Sequence, residues 1–220
     1  ALIKLISPES GPGAAKELVR YLSPQRHETT IAILKFVIRH GIQAVNPSEF
    51  SSYMNSSHPV VRGFACACRY ADQPESLHKC IEDWLSCTDT TFRQSGIICA
   101  GLSGNQEYIP RLQTMLKEPE IDPVIPDIIR ALSRLQVEAG HSAALSYLDH
   151  KHKEVRMAAL DALSITNDDT LKKAVHLLGD PSDAIHDLAF EKIKTADYQN
   201  NLLLVESLGL SSARIRRALF

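Results

Sequence analysis

Two stretches of the chain carry one short pattern: HPVVRGFACAC at residues 58–68 and HKEVRMAALDAL at residues 152–163. In each, an apolar residue precedes an arginine, and small and apolar residues follow at helical spacing. A third copy, DTTFRQSGIICAGL, stands at 89–102. With the arginine as reference, the repeat sits at Arg62, Arg93 and Arg156, and steps of 30 to 33 residues add Ile31, Pro126, His186 and Arg216. Self-similarity at such a period is the mark of stacked units that cannot each bury their own apolar face.

Two registers follow from this reference. The residue before it is Thr30, Val61, Phe92, Ile125, Val155, Ile185 or Ile215, apolar in six of seven cases. Two positions after it come Ile33, Phe64, Ser95, Ile128, Ala158, Leu188 and Ala218, and three after it Leu34, Ala65, Gly96, Ile129, Ala159, Ala189 and Leu219. Offsets of −1, +2 and +3 share one face of a helix. Further on, offset +19 reads Phe50, Ile81, Leu112, Leu145, Val175 and Val205, and offset +22 reads Tyr53, Trp84, Met115, Leu148, Leu178 and Leu208. All twelve are large and apolar, although nothing in the choice of reference required it. A second helix per unit is therefore expected in the same phase.

The punctuation agrees. Ser57, Asp89, Asp122 and Asp180 precede the first helices as candidate N-caps, with Pro59, Pro123 and Pro181 close behind. Gly41, Gly104, Gly140 and Gly179 fall near expected helix ends. No segment alternates with period two, so the sequence predicts no strand. The expectation is an all-α chain of about thirteen helices, with units near 24–56, 57–87, 88–118, 119–149, 150–179 and 180–210, a partial unit at 211–220 and irregular helices over 1–23.

The segments V-R-G-F-A at 61–65 and V-R-M-A-A at 155–159 resemble the HEAT family, and within it the short PBS-lyase-type HEAT-like repeats. F-R-Q-S-G at 92–96 is similar with small-residue substitutions, while Ile31, Pro126 and His186 depart from the motif. The resemblance implies a right-handed α-α superhelix of about six helix pairs, first helices convex and second helices lining a concave surface. It also implies a function: a scaffold or regulatory module that binds a protein partner. The alternative that the same repeat class implies is a bilin lyase subunit or lyase-like chromophore chaperone.

Composition narrows the field. Lys and Arg number 24 against 26 Asp and Glu, a formal charge of −2, which provides no continuous basic track for nucleic acid or anionic lipid. No apolar run is long enough to span a bilayer. Five cysteines at irregular spacing fit reduced thiols in a cytoplasmic setting rather than a disulfide framework. The chain lacks an initiator Met, and SARIRRALF at 212–220 reads as a first helix that stops halfway. Both features lead to the expectation that it belongs to a longer chain, whose other domains are further candidate partners.

No G-x-G-x-x-G, P-loop or G-x-S-x-G motif occurs, so no enzyme is expected, and no cofactor or metal. The arginines Arg62, Arg93 and Arg156 could form an anion-binding row, but their recurrence with the fold favours a structural signature. Cys66 and Cys68, two apart on a helix, point too far from each other to share a metal. Cys68 and Cys99 occupy one offset in successive units and are expected as small buried thiols. His150 and His152 make a poor metal pair, and Trp84, Tyr53 and Met115 read as core rather than as an aromatic stripe. The informative positions are those the core leaves free, at offsets +17, +20 and +21: Ser48, Ser51, Ser52, Lys79, Glu82, Asp83, Pro110, Gln113, Thr114, Ser146, Lys173, His176 and Glu206. Of these, Lys79, Glu82, Asp83, Gln113, Thr114, Lys173 and His176 are the expected partner-binding residues on the concave side.

Overall fold

Every regular element among the described residues is helical. The computed structural model describes residues 11–40, 42–70, 73–118, 121–198 and 200. The chain divides into two units, Ala1–Ala131 and Leu132–Phe220. In the first lie α1 (Gly11–Leu18), α2 (His27–His40), a 3-10 helix (Pro47–Asn55), α3 (Pro59–Tyr70), α4 (Pro74–Ser86), α5 (Thr90–Ser103) and α6 (Ile109–Met115). Helix α7 (Ile125–Leu135) crosses the division, and α8 (Val137–Ala144), α9 (Lys153–Ala162), α10 (Asp168–Leu177) and α11 (Asp183–Thr195) follow in the second. The repeat positions Val205, Glu206, Leu208, Ile215, Arg216, Ala218 and Leu219, and the partial unit at 211–220, lie outside the described residues.

Helix α3 is the centre of the first unit. It packs on α2, α4, α5 and the 3-10 helix, and every residue from Val61 to Cys68 is buried. Gly63 lets α5 come close, since a Cβ there would stand 2.9 Å from Ile98 Cβ and 2.9 Å from the Ser95 carbonyl oxygen. Glycine inside a helix costs about 1 kcal/mol relative to alanine, whereas burying one Phe or Val side chain returns about 1.5–3 kcal/mol. Packing wins. In the second unit α8 packs on α9, and both α9 and α10 pack on α11. Their buried stripe runs through Val155, Ala158, Ala159, Leu171, Ala174, Val175, Ile185 and Ala189.

The polar residue among the −1 positions, Thr30, is also buried, and its hydroxyl donates to the Ser23 carbonyl at 2.8 Å. Helix α5 starts at Asp89, whose carboxylate accepts from the Thr91 N–H at 2.7 Å, and ends at Gly104 in the left-handed conformation, φ 72°. Helix α10 starts with a capping box of Asn167 and Thr170.

Several expectations are corrected. Ser57 is no cap: the hydroxyl that receives the His58 N–H is that of Ser56. Asp122 is the first residue of a short 3-10 turn, and Asp180 accepts from the Ser182 N–H ahead of α11 rather than at its first residue. Gly140 lies inside α8, where a Cβ would stand 2.5 Å from Ser133 Cα, so its role is close approach and not termination. The second helix of residues 24–56 is 3-10 in type, because PSEFSSYMN is rich in Ser and Asn, whose side chains compete for the backbone. Leu145 is 36% exposed: α8 has already ended at Ala144, so the register that buries Leu148 does not hold there. Trp84 and Tyr53 are half-buried rather than sealed in the core.

Candidate interaction surface

The second helices separate their residues by face. In α4, Leu77, Ile81 and Leu85 are buried while Lys79 and Asp83 are exposed and Glu82 is half-buried. In α6, Leu112 and Met115 are buried while Pro110, Gln113 and Thr114 are exposed, with the Thr114 hydroxyl donating back to the Pro110 carbonyl at 2.9 Å. Ser48, Ser51 and Ser52 are exposed beside buried Phe50. These rows belong to the first unit. In the second, α10 exposes His176, whose ring nitrogen stands 3.9 Å from the Asp149 carboxylate, and half-buries Lys173, whose ammonium donates to Asp169 at 2.6 Å. Ser146 is exposed as well.

The repeated arginines are held in place by short contacts. Arg62 is 4% exposed. Its guanidinium donates to the Ser95 hydroxyl at 3.0 Å, to the Ser56 carbonyl at 2.8 Å and to the Thr91 carbonyl at 2.8 Å. It also lies 4.0 Å from the Phe92 ring centroid and 5.7 Å from that of Trp84. Phe92, exposed for a −1 residue, is the lid over this cation. Arg93 pairs with Glu118, which Arg111 also approaches at 3.5 Å. Arg156 grips Asp180 with two bonds, 2.7 and 3.0 Å, and donates to the His150 carbonyl at 2.9 Å.

No protein-family model matches this chain, and no curated protein matches it.

All five cysteines are free thiols, with Cys66, Cys68 and Cys99 buried. The thiol in hydrogen-bonding contact with Cys99 is that of Cys66, not its register equivalent Cys68. Burial pushes the Cys68 thiol up to about 12 and the Cys80 thiol up to about 11. Such thiols are poor nucleophiles. His150 and His152 stand with ring centroids 5.5 Å apart, and no group of three metal-capable side chains occurs among the described residues. No helix among the described residues is long and apolar enough to cross a membrane.

Two features escaped the repeat pattern. One is a Tyr–His contact, the Tyr108 hydroxyl 2.7 Å from His78 Nδ1, with burial raising the phenol above its ordinary range. The other is a cavity of about 600 Å³ in the second unit, beside Lys192. The lysine lies six residues past the reference position His186, at an offset that reads Val37, Cys68, Cys99, Leu132 and Ala162 in the earlier copies. A long cation where the other copies have an uncharged residue was the available signal.

Proposed function

We propose that this chain is a HEAT-like solenoid module that holds a protein partner in a cytoplasmic setting through the polar faces of its second helices. The observation that carries this reading is the division of those helices: offsets +19 and +22 are buried or half-buried in α4, α6 and α10, while Lys79, Glu82, Asp83, Gln113, Thr114, Lys173 and His176 reach solvent. The fold is maintained without them, so they are open to a partner's demands. Packing of α3 on α5, and of α9 on α11, is the contact between alternate helices that a stack of helix pairs requires. The row carries both charge signs, a composition suited to steering and register with a protein rather than to phosphate neutralisation.

Reversing Lys79 and Lys173 to Glu tests this. Affinity capture from native lysate with the unaltered chain should retain a defined partner that the double variant loses, while both keep the same helical circular dichroism and melting temperature. Retention of that partner by the double variant, or its loss only on changes to the first helices α3 and α9, would show that the proposed face is wrong.

A further inference from the structure

The cavity of the second unit lies between the non-helical segment 163–166, which joins α9 to α10, and the C-terminal end of α11. Ser164, Thr166, Lys192, Thr195, Asp197 and Tyr198 are in its wall. Its volume, about 600 Å³, falls within the range of built ligand sites. Lys192 is its half-buried cation, and the ammonium donates to the Leu163 carbonyl at 2.8 Å. An ammonium has three donors. Among the described residues Lys192 forms no ion pair, and burial holds its pKa below the ordinary lysine range, an effect that Asp161 opposes. A cation withdrawn from water against one neutral carbonyl is under-compensated. Arg156 in the same unit, paired with the Asp180 carboxylate, is not.

An anion matched to this cation would be singly charged. Asp197 lines the same cavity, as does Tyr198, whose hydroxyl donates to the Asp168 carboxylate at 2.6 Å, which also accepts from Asn200 Nδ2 at 2.8 Å. A phosphate would bring about two negative charges beside the Asp197 carboxylate, with one lysine to balance them. A carboxylate is matched by Lys192 alone. The adjoining backbone points to the remainder of the ligand. The Ser164 N–H is taken by His141 at 3.1 Å and the Thr166 N–H by the Thr170 hydroxyl at 3.0 Å. Between them, the N–H and C=O of Ile165 take no partner among the described residues. One donor and one acceptor on a residue outside any helix are what the backbone of an extended chain completes.

We propose that this cleft binds a short extended peptide of a partner protein, its carboxylate side chain on Lys192 and its backbone along Ile165. The cleft shares no residue with the polar row above, so the two readings fail separately.

The test is a titration of the ¹⁵N-labelled full chain with a pool of acetylated, amidated pentapeptides holding one central glutamate among neutral residues. Amide shifts should appear at 163–166 and 192–198, with an affinity about tenfold or more above that of the matching glutamine pool, the loss expected for one charge-assisted pair. Lys192→Met should abolish the preference for glutamate. Asp197→Asn, an exposed and well-tolerated change, should strengthen binding about threefold by removing the competing charge, and it decides the matter if Lys192→Met does not fold. Lys79→Glu with Lys173→Glu should leave the titration unchanged. No shifts up to millimolar peptide, equal affinity for the glutamine pool, or unaltered preference in a folded Lys192→Met chain would each overturn the proposal. So would glutarate binding as tightly as the peptides, which would make this a small-carboxylate site.

Discussion

Arg62 in the first unit and Arg156 in the second hold the same place in the repeat and solve its problem in opposite ways. Arg62 is sealed from water by Phe92 and Trp84 and satisfied entirely by neutral groups, two carbonyls and a hydroxyl. Burial therefore lowers its pKa, with Asp89 opposing. Arg156 meets a buried carboxylate face to face, and the Asp180 hydrogen bonds raise its pKa instead. Both donate to carbonyls six residues upstream, Ser56 and His150, at the turn before their own helix. The common element is the clamp on that turn. What differs is the countercharge, and it differs because the next turn offers Thr91 in one unit and Asp180 in the other.

The largest effect is expected from Arg62→Ala. It takes the donor from the Ser56 carbonyl, at about 1–3 kcal/mol if water cannot reach it, leaves the Thr91 carbonyl and the Ser95 hydroxyl bonded to each other, and removes the filling beneath two rings. A loss of about 3–4 kcal/mol in urea unfolding is expected, near the upper end for single substitutions. A cycle with Phe92→Ala should give a coupling of about 0.5–2 kcal/mol. A loss below about 1 kcal/mol would mean that the clamp is ornamental in the first unit.

Asp180→Asn is next. It leaves Arg156 charged with its His150 and Lys151 carbonyls intact and its side chain partly wet, so about 2–3 kcal/mol is expected. The two units can be read apart because all five cysteines and the one tryptophan lie in the first. Pulsed thiol labelling of Cys66, Cys68 and Cys99 should accelerate in Arg62→Ala and hardly change in Asp180→Asn. Equal acceleration in both would show that the units unfold as one. In the unaltered protein half-buried Cys87 should label before those three.

Much of this architecture is legible in the sequence because burial repeats: every helix pair must hide the same face, so Ile33, Phe64, Ile128 and Ala158 recur at one offset and are buried. The exposed positions follow as the complement of that set, which is how Lys79 and Gln113 could be named from spacing alone. The carbonyl six residues upstream repeats, but the remaining hydrogen-bond partners do not. Nothing periodic announces Thr91 for Arg62, Asp180 for Arg156 or Cys66 for Cys99. Leu145 failed because one short helix ended a residue early, and the Lys192 cleft shows in the pattern only as one cation out of place, because a loop and a helix end build it.

The smallest effect expected is a dependence on pH confined to the first unit. His27 and His58 stand with ring centroids 4.7 Å apart, and His58 Nδ1 is buried without a hydrogen-bond partner. Burial, with His27 beside it, lowers the His58 pKa below its ordinary 6.5. A base whose folded pKa is depressed is protonated more readily in the unfolded chain, so stability rises with pH across the interval between the two values. Its contribution is complete above about 6.5, falls as pH drops below that value and levels off beneath the folded pKa. His58→Gln cannot titrate and should flatten that slope. The readout is the urea midpoint followed by Trp84 fluorescence, unaltered chain against variant, between about pH 7.5 and 5. Carboxylates such as Asp89, whose pKa the Thr91 hydrogen bonds hold below 3.8, lose their contribution only at lower pH and are common to both curves. Parallel curves would remove His58 from the account, and a variant curve that falls more steeply than the unaltered one would reverse the sign argued here.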